Sequence, residues 1–232
     1  LGFFRKSKSV KRLKESEDSI EHIDNLHHSL SKHYSKFDEN HIKTIHKYSG
    51  GAGGGSHNDP NGSEVMNKHL HQNRGKIENT PHHDLQKRMD RVVNRHETPH
   101  DMHVYTGIHH DHDLRKIAAS HNSTDHIKIH NHAFTSTSID KHVAKSFASR
   151  NGHGESHTIK IHVPKGHKGA YIAHHSGQSA SEDEHGPGGE KEFVLPRNTK
   201  LHIHPKPTVE KGRTESGREI HHHIWHAKIV KE

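Results

Sequence analysis

The sequence contains no cysteine, and that absence removes several kinds of chemistry at once. A chain without thiols has no disulfide framework, no thiolate zinc site and no cysteine nucleophile. Apolar residues are also scarce, at 26% of the 232 positions, and aromatic residues make up 5%. Nowhere do they form the run of roughly 20 that a membrane span needs, or the apolar stretch of a signal peptide. We therefore expect one folded core with polar loops, without a membrane partner or an export signal.

Histidine is abundant instead, with 35 residues, as many as Lys and Arg together. Because histidines occur in almost every segment, we interpret most of them as surface composition and expect no functional metal. One alternative stays open, since neutral imidazole is a good ligand for zinc, copper or nickel. The segments "LHIH" and "HHHIWH" offer a candidate ligand set at strand-compatible spacing, namely His202, His204, His222 and His226.

Helical periodicity dominates the N-terminal part of the chain. Apolar residues recur there at steps of mostly three and four, which is typical of amphipathic helices, at Val10, Leu13, Ile20, Ile23, Leu26 and Leu30. A loop rich in Gly, Asn and Pro follows at residues 48–64, and helical spacing returns in "SEVMNKHLHQN" and over residues 84–96. We expect an N-terminal helical segment over residues 1–40 and the main domain over residues 41–232.

From residue 102 the pattern changes to short runs in which apolar and polar residues alternate. These runs predict strands in "MHVYTGI", "DHIKIHN", "HAFTSTS", "HTIKIHVP", "GAYIAHH", "EFVLP", "TKLHIHP" and "IHHHIWHAKIV". One helix interrupts them at residues 138–149. Helices first and strands second indicate an α+β fold, with N-terminal helices followed by a mixed, mostly antiparallel β-sandwich core.

Two polar motifs lie at predicted strand boundaries. Ser136, Thr137 and Ser138 end one strand just before the interrupting helix, which Ser138 can cap. Glu190 and Glu192 lie at the start of "EFVLP", and strand alternation would place both on one face, where the two carboxylates raise at least one pKa. Taken alone, each motif is also explained by plain capping or by an exposed acidic turn.

Together and in this order, these segments resemble the mono-ADP-ribosyltransferases of the exotoxin type, whose signature is Arg on one strand, Ser-Thr-Ser on a second and Glu-x-Glu on a third. "YSG" and "SEVMNKHL" are similar to the family's tyrosine-and-glycine loop and Asn-x-x-Leu helix, and "VYTG" to its V-Y-R-G. "AFTSTSIDKHVAKSFA" is similar to its F-x-S-T-S segment, and "GEKEFVLPRNTKLHI" to its E-x-E-x-x-L-P-R-G-T strand. The resemblance covers roughly residues 42–230 and looks greatest to the transferases that tailed phages inject.

The resemblance implies an ADP-ribosyltransferase fold over residues 41–232 and cleavage of the nicotinamide–ribose bond of NAD. ADP-ribose would pass to a host macromolecule, with arginine on a host protein as the preferred acceptor and nucleic acid as an open alternative. A phage-encoded protein would travel in the virion and act in the host cytoplasm. The implied catalytic residues are Glu192, Glu190 and Ser136. The implied NAD-binding residues are Tyr105, Thr106, Gly107, Thr137, Ser138, Phe147 and Arg150.

One position departs from the family pattern. Thr106 stands where the family carries the arginine that clamps the dinucleotide phosphates, and threonine supplies neither charge nor a bidentate fork. Either another cation replaces it, with Arg150 preferred over Arg115, or NAD binding is weak, or the chain is an inactive binding module. In that last reading the basic run at residues 5–14 would contact nucleic acid or an acidic protein. The polar loop at residues 174–189 is the expected site of acceptor recognition.

Overall fold

The computed structural model describes residues 19–50, 62–78, 80–108, 125–149, 155–175, 189–213 and 217–230. Several predicted features lie outside these ranges. They are Arg150, Arg115, the basic run at residues 5–14 and most of the loop at residues 174–189.

Helices form where the apolar spacing predicts them. Among the described residues four precede the sheet and one interrupts it: α1 (Ile20–His33), α2 (Glu39–Tyr48), α3 (Ser63–Gln72), α4 (His83–Arg95) and α5 (Lys141–Ser149). Helix α1 begins after Ser19, whose hydroxyl accepts a hydrogen bond of 3.2 Å from the backbone N–H of His22. Within the described part of the chain, no helix is both long enough and apolar enough to cross a membrane.

The strands are β1 (Met102–Gly107), β2 (Ile127–Asn131), β3 (Thr135–Ser138), β4 (Glu155–Val163), β5 (Ala170–Tyr171), β6 (Glu192–Leu195), β7 (Thr199–Ile203), β8 (Thr208–Arg213) and β9 (Glu219–Ile229). Their hydrogen-bonded order is β2-β7-β9-β4-β1-β3-β6-β5, and β8 pairs with β9. The β4–β9 pair is parallel and the other pairs are antiparallel. This mixed, mostly antiparallel sheet with preceding helices confirms the predicted α+β class.

Alternation along the strands gives much of the sheet one buried face and one polar face. On β2, Ile127 and Ile129 are buried while Lys128 and His130 are exposed. The buried residues of β4, β7 and β9 extend the same apolar face, which packs into the core together with the fully buried Trp225. The polar face is therefore free to carry function at the positions between them.

The helix α1 packs into the same core as the sheet. Leu30 and Tyr34 are buried, and the Tyr34 ring lies edge-on to Phe193 of β6 with ring centroids 6.2 Å apart. On the same side of α1, one turn before Leu30, His27 Nδ1 lies 2.6 Å from the hydroxyl of Tyr171. The domain boundary near residue 40 stays a prediction, although α1 and the sheet share one hydrophobic cluster.

Candidate active site

The three strands that carry the predicted motifs are direct neighbours in the order β1-β3-β6. Tyr105 on β1 pairs with Ser138 on β3, and Ser138 pairs with Glu192 on β6. Because directly paired residues project from the same face of a sheet, these three side chains form one row. Ser136 lies two residues from Ser138 along β3 and shares that face. The fold thus brings together residues that are far apart in sequence.

Glu192 is a buried carboxyl group beside an exposed hydroxyl. Only 8% of its surface is accessible, whereas Ser136 faces solvent. Burial raises the pKa of Glu192 from its ordinary value of 4.5 to about 7, a hydrogen bond from Ser136 opposes that rise, and the charge of Glu190 adds to it. Glu192 is therefore a carboxyl group that titrates near neutrality and is approached from the Ser136 side.

A relay of hydrogen bonds supports Glu192 from the helices. Asn67 on α3 donates from Nδ2 to the Tyr48 hydroxyl at 3.3 Å, and that hydroxyl lies 3.3 Å from Ser136 Oγ. Since Tyr48 Oη accepts from Asn67, its own proton can be donated to Ser136, whose proton then points to the Glu192 carboxylate. Burial raises the pKa of Tyr48 to about 12, and the charge of Glu192 adds to the rise. The phenol therefore stays protonated as a donor.

Tyr48 and Asn67 are absent from the site residues predicted from the sequence. The signal was present, since both lie in the "YSG" and "SEVMNKHL" segments that resemble the family. Although they are 19 residues apart in sequence, Asn67 and Tyr48 are in direct contact through their hydrogen bond. The last residue of α2 and the fifth residue of α3 thus form one wall of the site.

The Glu190–Lys191–Glu192 turn differs from the predicted alternation. Strand β6 begins at Glu192 as predicted, but Lys191 has a left-handed backbone with φ of 46°, as does Gly189 at 53°. Strand alternation therefore does not extend to Glu190. Glu190 and Glu192 nevertheless interact, since the charge of Glu190 raises the pKa of Glu192. Their proximity arises from the tight turn, not from the two-residue period of a strand.

Three backbone carbonyls in succession fix this turn to the rest of the site. The Ser138 hydroxyl donates to the carbonyl of Glu190 at 2.7 Å, and Ile139 N–H donates to that of Lys191 at 3.2 Å. Ile172 N–H donates to the carbonyl of Glu192 at 3.0 Å. The left-handed Lys191 is itself buried, with its ammonium group 3.7 Å from an Asp140 carboxylate oxygen. The two glutamates are therefore held on a rigid support.

The hydroxyls of the strand-to-helix corner serve the backbone. Thr137 is buried and donates to the carbonyl of Phe193 at 2.6 Å. Ser138 Oγ accepts from the N–H of Asp140 at 3.0 Å, and Asp140 accepts from the N–H of His142 at 2.9 Å. Helix α5 begins at Lys141, three residues after Ser138, so the carboxylate of Asp140 caps it in place of the predicted Ser138.

On β1 the predicted NAD-binding residues have distinct surroundings. Tyr105 is buried in the row with Ser138, whereas Thr106 is half-buried and alternation directs it to the opposite face. Gly107 lies against helix α5, where an added Cβ would come within 2.6 Å of the Ala144 carbonyl oxygen. Phe147 is half-buried on the same helix. Gly107 therefore allows α5 to approach the strand, while Thr106 does not face Glu192.

The histidine set proposed as a metal site is dispersed. His222 and His226 are four residues apart on β9, which separates them by about 13 Å, beyond the reach of one ion. A different group, Glu155, His157 and His223, places its ligand atoms within 4.8 Å of one another. There Trp225 Nε1 donates to His157 Nδ1 at 3.1 Å, which leaves the proton of a neutral imidazole on Nε2. That tautomer opposes metal binding through Nε2.

A sequence model described as ADP-ribosyltransferase exoenzyme matches residues 60–223 of the chain. Those residues include the three motif strands with Ser136, Glu190 and Glu192. A sequence search of the curated proteins finds no match.

Several solved structures share the fold. Plx2a, an ADP-ribosyltransferase toxin from Paenibacillus larvae, is 17% identical with a TM-score of 0.58, and the alignment covers 87% of this chain and 93% of that one. The C3 exoenzyme from Clostridium limosum is 15% identical with a TM-score of 0.57, covering 90% and 94%. C3stau2 from S. aureus, solved with NAD, is 18% identical with a TM-score of 0.58, covering 92% and 97%. The chain therefore belongs to the ADP-ribosyltransferase exoenzyme family, which acts on NAD.

Proposed function

We propose that this protein transfers a single ADP-ribose unit from NAD to arginine on a protein. The observation that carries the proposal is the pair of carboxyl groups on one turn. The half-buried Glu190 lies close enough to the buried Glu192 for its charge to raise the pKa of Glu192. A guanidinium acceptor is cationic and a poor nucleophile, so a second carboxylate that attracts it and takes up its proton suits this acceptor. Transfer to a host protein, and the placement among phage-injected enzymes, stay predictions from the sequence resemblance.

In the proposed reaction the bond between ribose C1′ and the nicotinamide nitrogen breaks, and nicotinamide leaves with the bonding electrons. The ribose then resembles an oxocarbenium ion, which a neighbouring carboxylate stabilises as in glycoside hydrolysis. Glu192 supplies that charge, and the relay through Ser136 and Tyr48 holds its carboxylate in place. The acceptor nitrogen forms the new bond to C1′ and releases one proton, which Glu190 receives.

Replacing Glu190 with glutamine should separate acceptor activation from NAD cleavage. We expect transfer to a small guanidine compound to fall about 100-fold, because the group that receives the proton is lost. Hydrolysis of NAD by water should stay within a few fold, since Glu192 retains its carboxylate. The measurement is formation of the ADP-ribosyl guanidine and release of nicotinamide, followed in parallel.

Equal losses of both reactions in Glu190→Gln would show that Glu190 acts on NAD itself and would remove the support for an arginine acceptor. An exposed carboxylate from a turn before helix α4 provides a matched control, and Glu78→Gln should leave both rates unchanged. A wild-type chain incubated with labelled NAD and a bacterial lysate shows whether label is transferred to protein or to nucleic acid.

The phosphates of NAD still require a cation, since Thr106 replaces the family arginine. We propose Lys160 for this role. It pairs with Tyr105 in the row that leads to Glu192, and its ammonium group lies 5.7 Å from the centre of the Tyr105 ring. Three strand spacings separate Lys160 from Glu192, or about 14 Å, a span on the scale of the extended dinucleotide.

Lys160→Gln should raise the KM for NAD about 10-fold while kcat changes by less than about twofold, because one charge-assisted hydrogen bond to phosphate is lost in ground state and transition state alike. Lys160→Arg should restore most of the affinity. The exposed Lys165 gives the matched control, Lys165→Gln. An unchanged KM in Lys160→Gln would refute this role for Lys160 and leave the phosphates to another cation, such as the predicted Arg150.

A further inference from the structure

A row of basic side chains crosses five neighbouring strands of the sheet. Register pairs join Lys128 on β2 to His202 on β7, and His202 to Lys228 on β9. Lys228 pairs in turn with His162 on β4, and His162 with His103 on β1. Because directly paired residues share a face, these five side chains, here called the basic row, all project from one side of the sheet.

The basic row lies on the solvent side. Lys128 and Lys228 are exposed, and the three histidines are half-buried, while the residues between them along each strand belong to the core. Four strand spacings give the row a length of about 19 Å. A cavity of about 480 Å³ lies at one end, and the described residues that line it are Asp125, His126, Lys128, His202 and Lys228. The surface therefore carries two exposed lysines, hydrogen-bonding imidazoles and a concave end.

This surface is continuous with the active site. Lys160 and His226 lie two residues from His162 and Lys228 along β4 and β9, and they pair with each other. The N–H of His204 donates to the carbonyl of His226 at 2.8 Å. From Lys160 the same row continues through Tyr105 and Ser138 to Glu192. A two-residue repeat along a strand is about 7 Å. A ligand on the basic row would thus lie alongside the row that ends at Glu192.

We propose that the basic row is a binding surface for single-stranded nucleic acid. Lys128 and Lys228 lie two strand spacings apart in the row and can each contact a backbone phosphate, and binding of this kind gains most of its free energy from that contact. Imidazole rings can also stack on unpaired bases, so histidine contributes both a hydrogen-bond donor and a flat surface. Neighbouring rings are already arranged on this face, with His103 and His162 centroids 5.5 Å apart.

An acidic protein fits this surface less well. Stable protein interfaces are centred on buried aromatic, aliphatic or arginine anchors and are depleted in lysine. Every position of the basic row is lysine or histidine. Its two most exposed residues are Lys128 and Lys228. The composition therefore favours a flexible polyanion whose charges repeat along a chain.

The test is fluorescence anisotropy of a labelled RNA of mixed sequence, about 20 nucleotides long, titrated with the full chain without NAD over a range of salt concentrations. The wild-type protein should bind, and Lys128→Gln with Lys228→Gln should weaken binding at least 10-fold. The slope of log K against log salt should fall by about 1.4, because each lost phosphate contact on a single strand contributes about 0.7. The absence of NAD makes the result independent of transferase activity, so the two proposals fail separately.

A matched control removes the same charge elsewhere. Lys36→Gln with Lys68→Gln changes two exposed lysines in the helical part of the chain and should bind RNA within about twofold of wild type. Equal weakening in this control would show that net charge alone attracts RNA and would overturn the proposal. Polyglutamate that competes as well as unlabelled RNA would overturn it too, in favour of an acidic protein. Thermal unfolding checks that each double variant is folded.

Discussion

Glu192→Gln is expected to reduce nicotinamide release from NAD by about three orders of magnitude while the protein remains folded. In the proposed reaction the wild-type carboxylate stabilises the positive charge that develops on the ribose, and it does so from a buried position where water screens it little. Glutamine keeps the shape and can still accept the hydrogen bond from Ser136, but it carries no charge. Loss of about 4 kcal/mol of transition-state stabilisation corresponds to a decrease of about 1000-fold in kcat.

The measurement is a time course of nicotinamide release, with and without a guanidine acceptor, for the wild type and Glu192→Gln. If the missing charge acts in the transition state, kcat falls while the KM for NAD changes little. The control is again Glu78→Gln, the same chemical change on an exposed turn. Full activity in Glu192→Gln would refute the assignment. A wild type that releases no nicotinamide would instead favour the inactive binding module that Thr106 suggests.

Much of the fold could be predicted because the strands have one buried and one polar face. In "DHIKIHN", "HTIKIHVP" and "TKLHIHP" isoleucine, valine and leucine alternate with lysine and histidine, and each became a strand with that burial pattern. The exception is β8 (Thr208–Arg213), which was not predicted. Its residues are exposed or half-buried, so it carries no apolar alternation and forms by pairing with β9.

Glu190 and Glu192 are predicted as a catalytic pair from their sequence motif, but the geometry of their turn could not be predicted from strand periodicity. The left-handed backbone of Lys191 depends on contacts with distant segments, including the ion pair with Asp140 and the hydrogen bond from Ile139. Alternation is a local rule and contains no information about such contacts. Alternation does place Thr106 on the face opposite Tyr105, whereas the pairing of Tyr105 with Ser138 depends on the register between β1 and β3, which alternation does not give.

Burial of Glu192 should also cost stability, since a site built for catalysis holds a carboxyl group whose charged form is poorly solvated. The pKa rises from 4.5 in the ordinary state to about 7 in the folded chain. Between these values the folded state binds a proton that the unfolded state has released. The free energy of unfolding is therefore not reduced by this group below pH 4.5, and it decreases as the pH rises from 4.5 through 7.

Glu192→Gln, which mimics the neutral acid at every pH, should consequently be more stable than the wild type at neutral pH. The gain in free energy of unfolding should grow from about 1 kcal/mol at about pH 5 to about 3 kcal/mol at about pH 8, following the two pKa values. Urea unfolding of both proteins across this range measures the difference, in which the titration of the many histidines cancels because both chains share them. If the increase in free energy of unfolding does not vary with pH, Glu192 is solvated in the folded chain. If the variant is less stable than the wild type at the upper end of the range, the charge of Glu192 is stabilised there by the Ser136 relay. The predicted combination of lower activity and higher stability therefore distinguishes a buried catalytic carboxylate from a structural one.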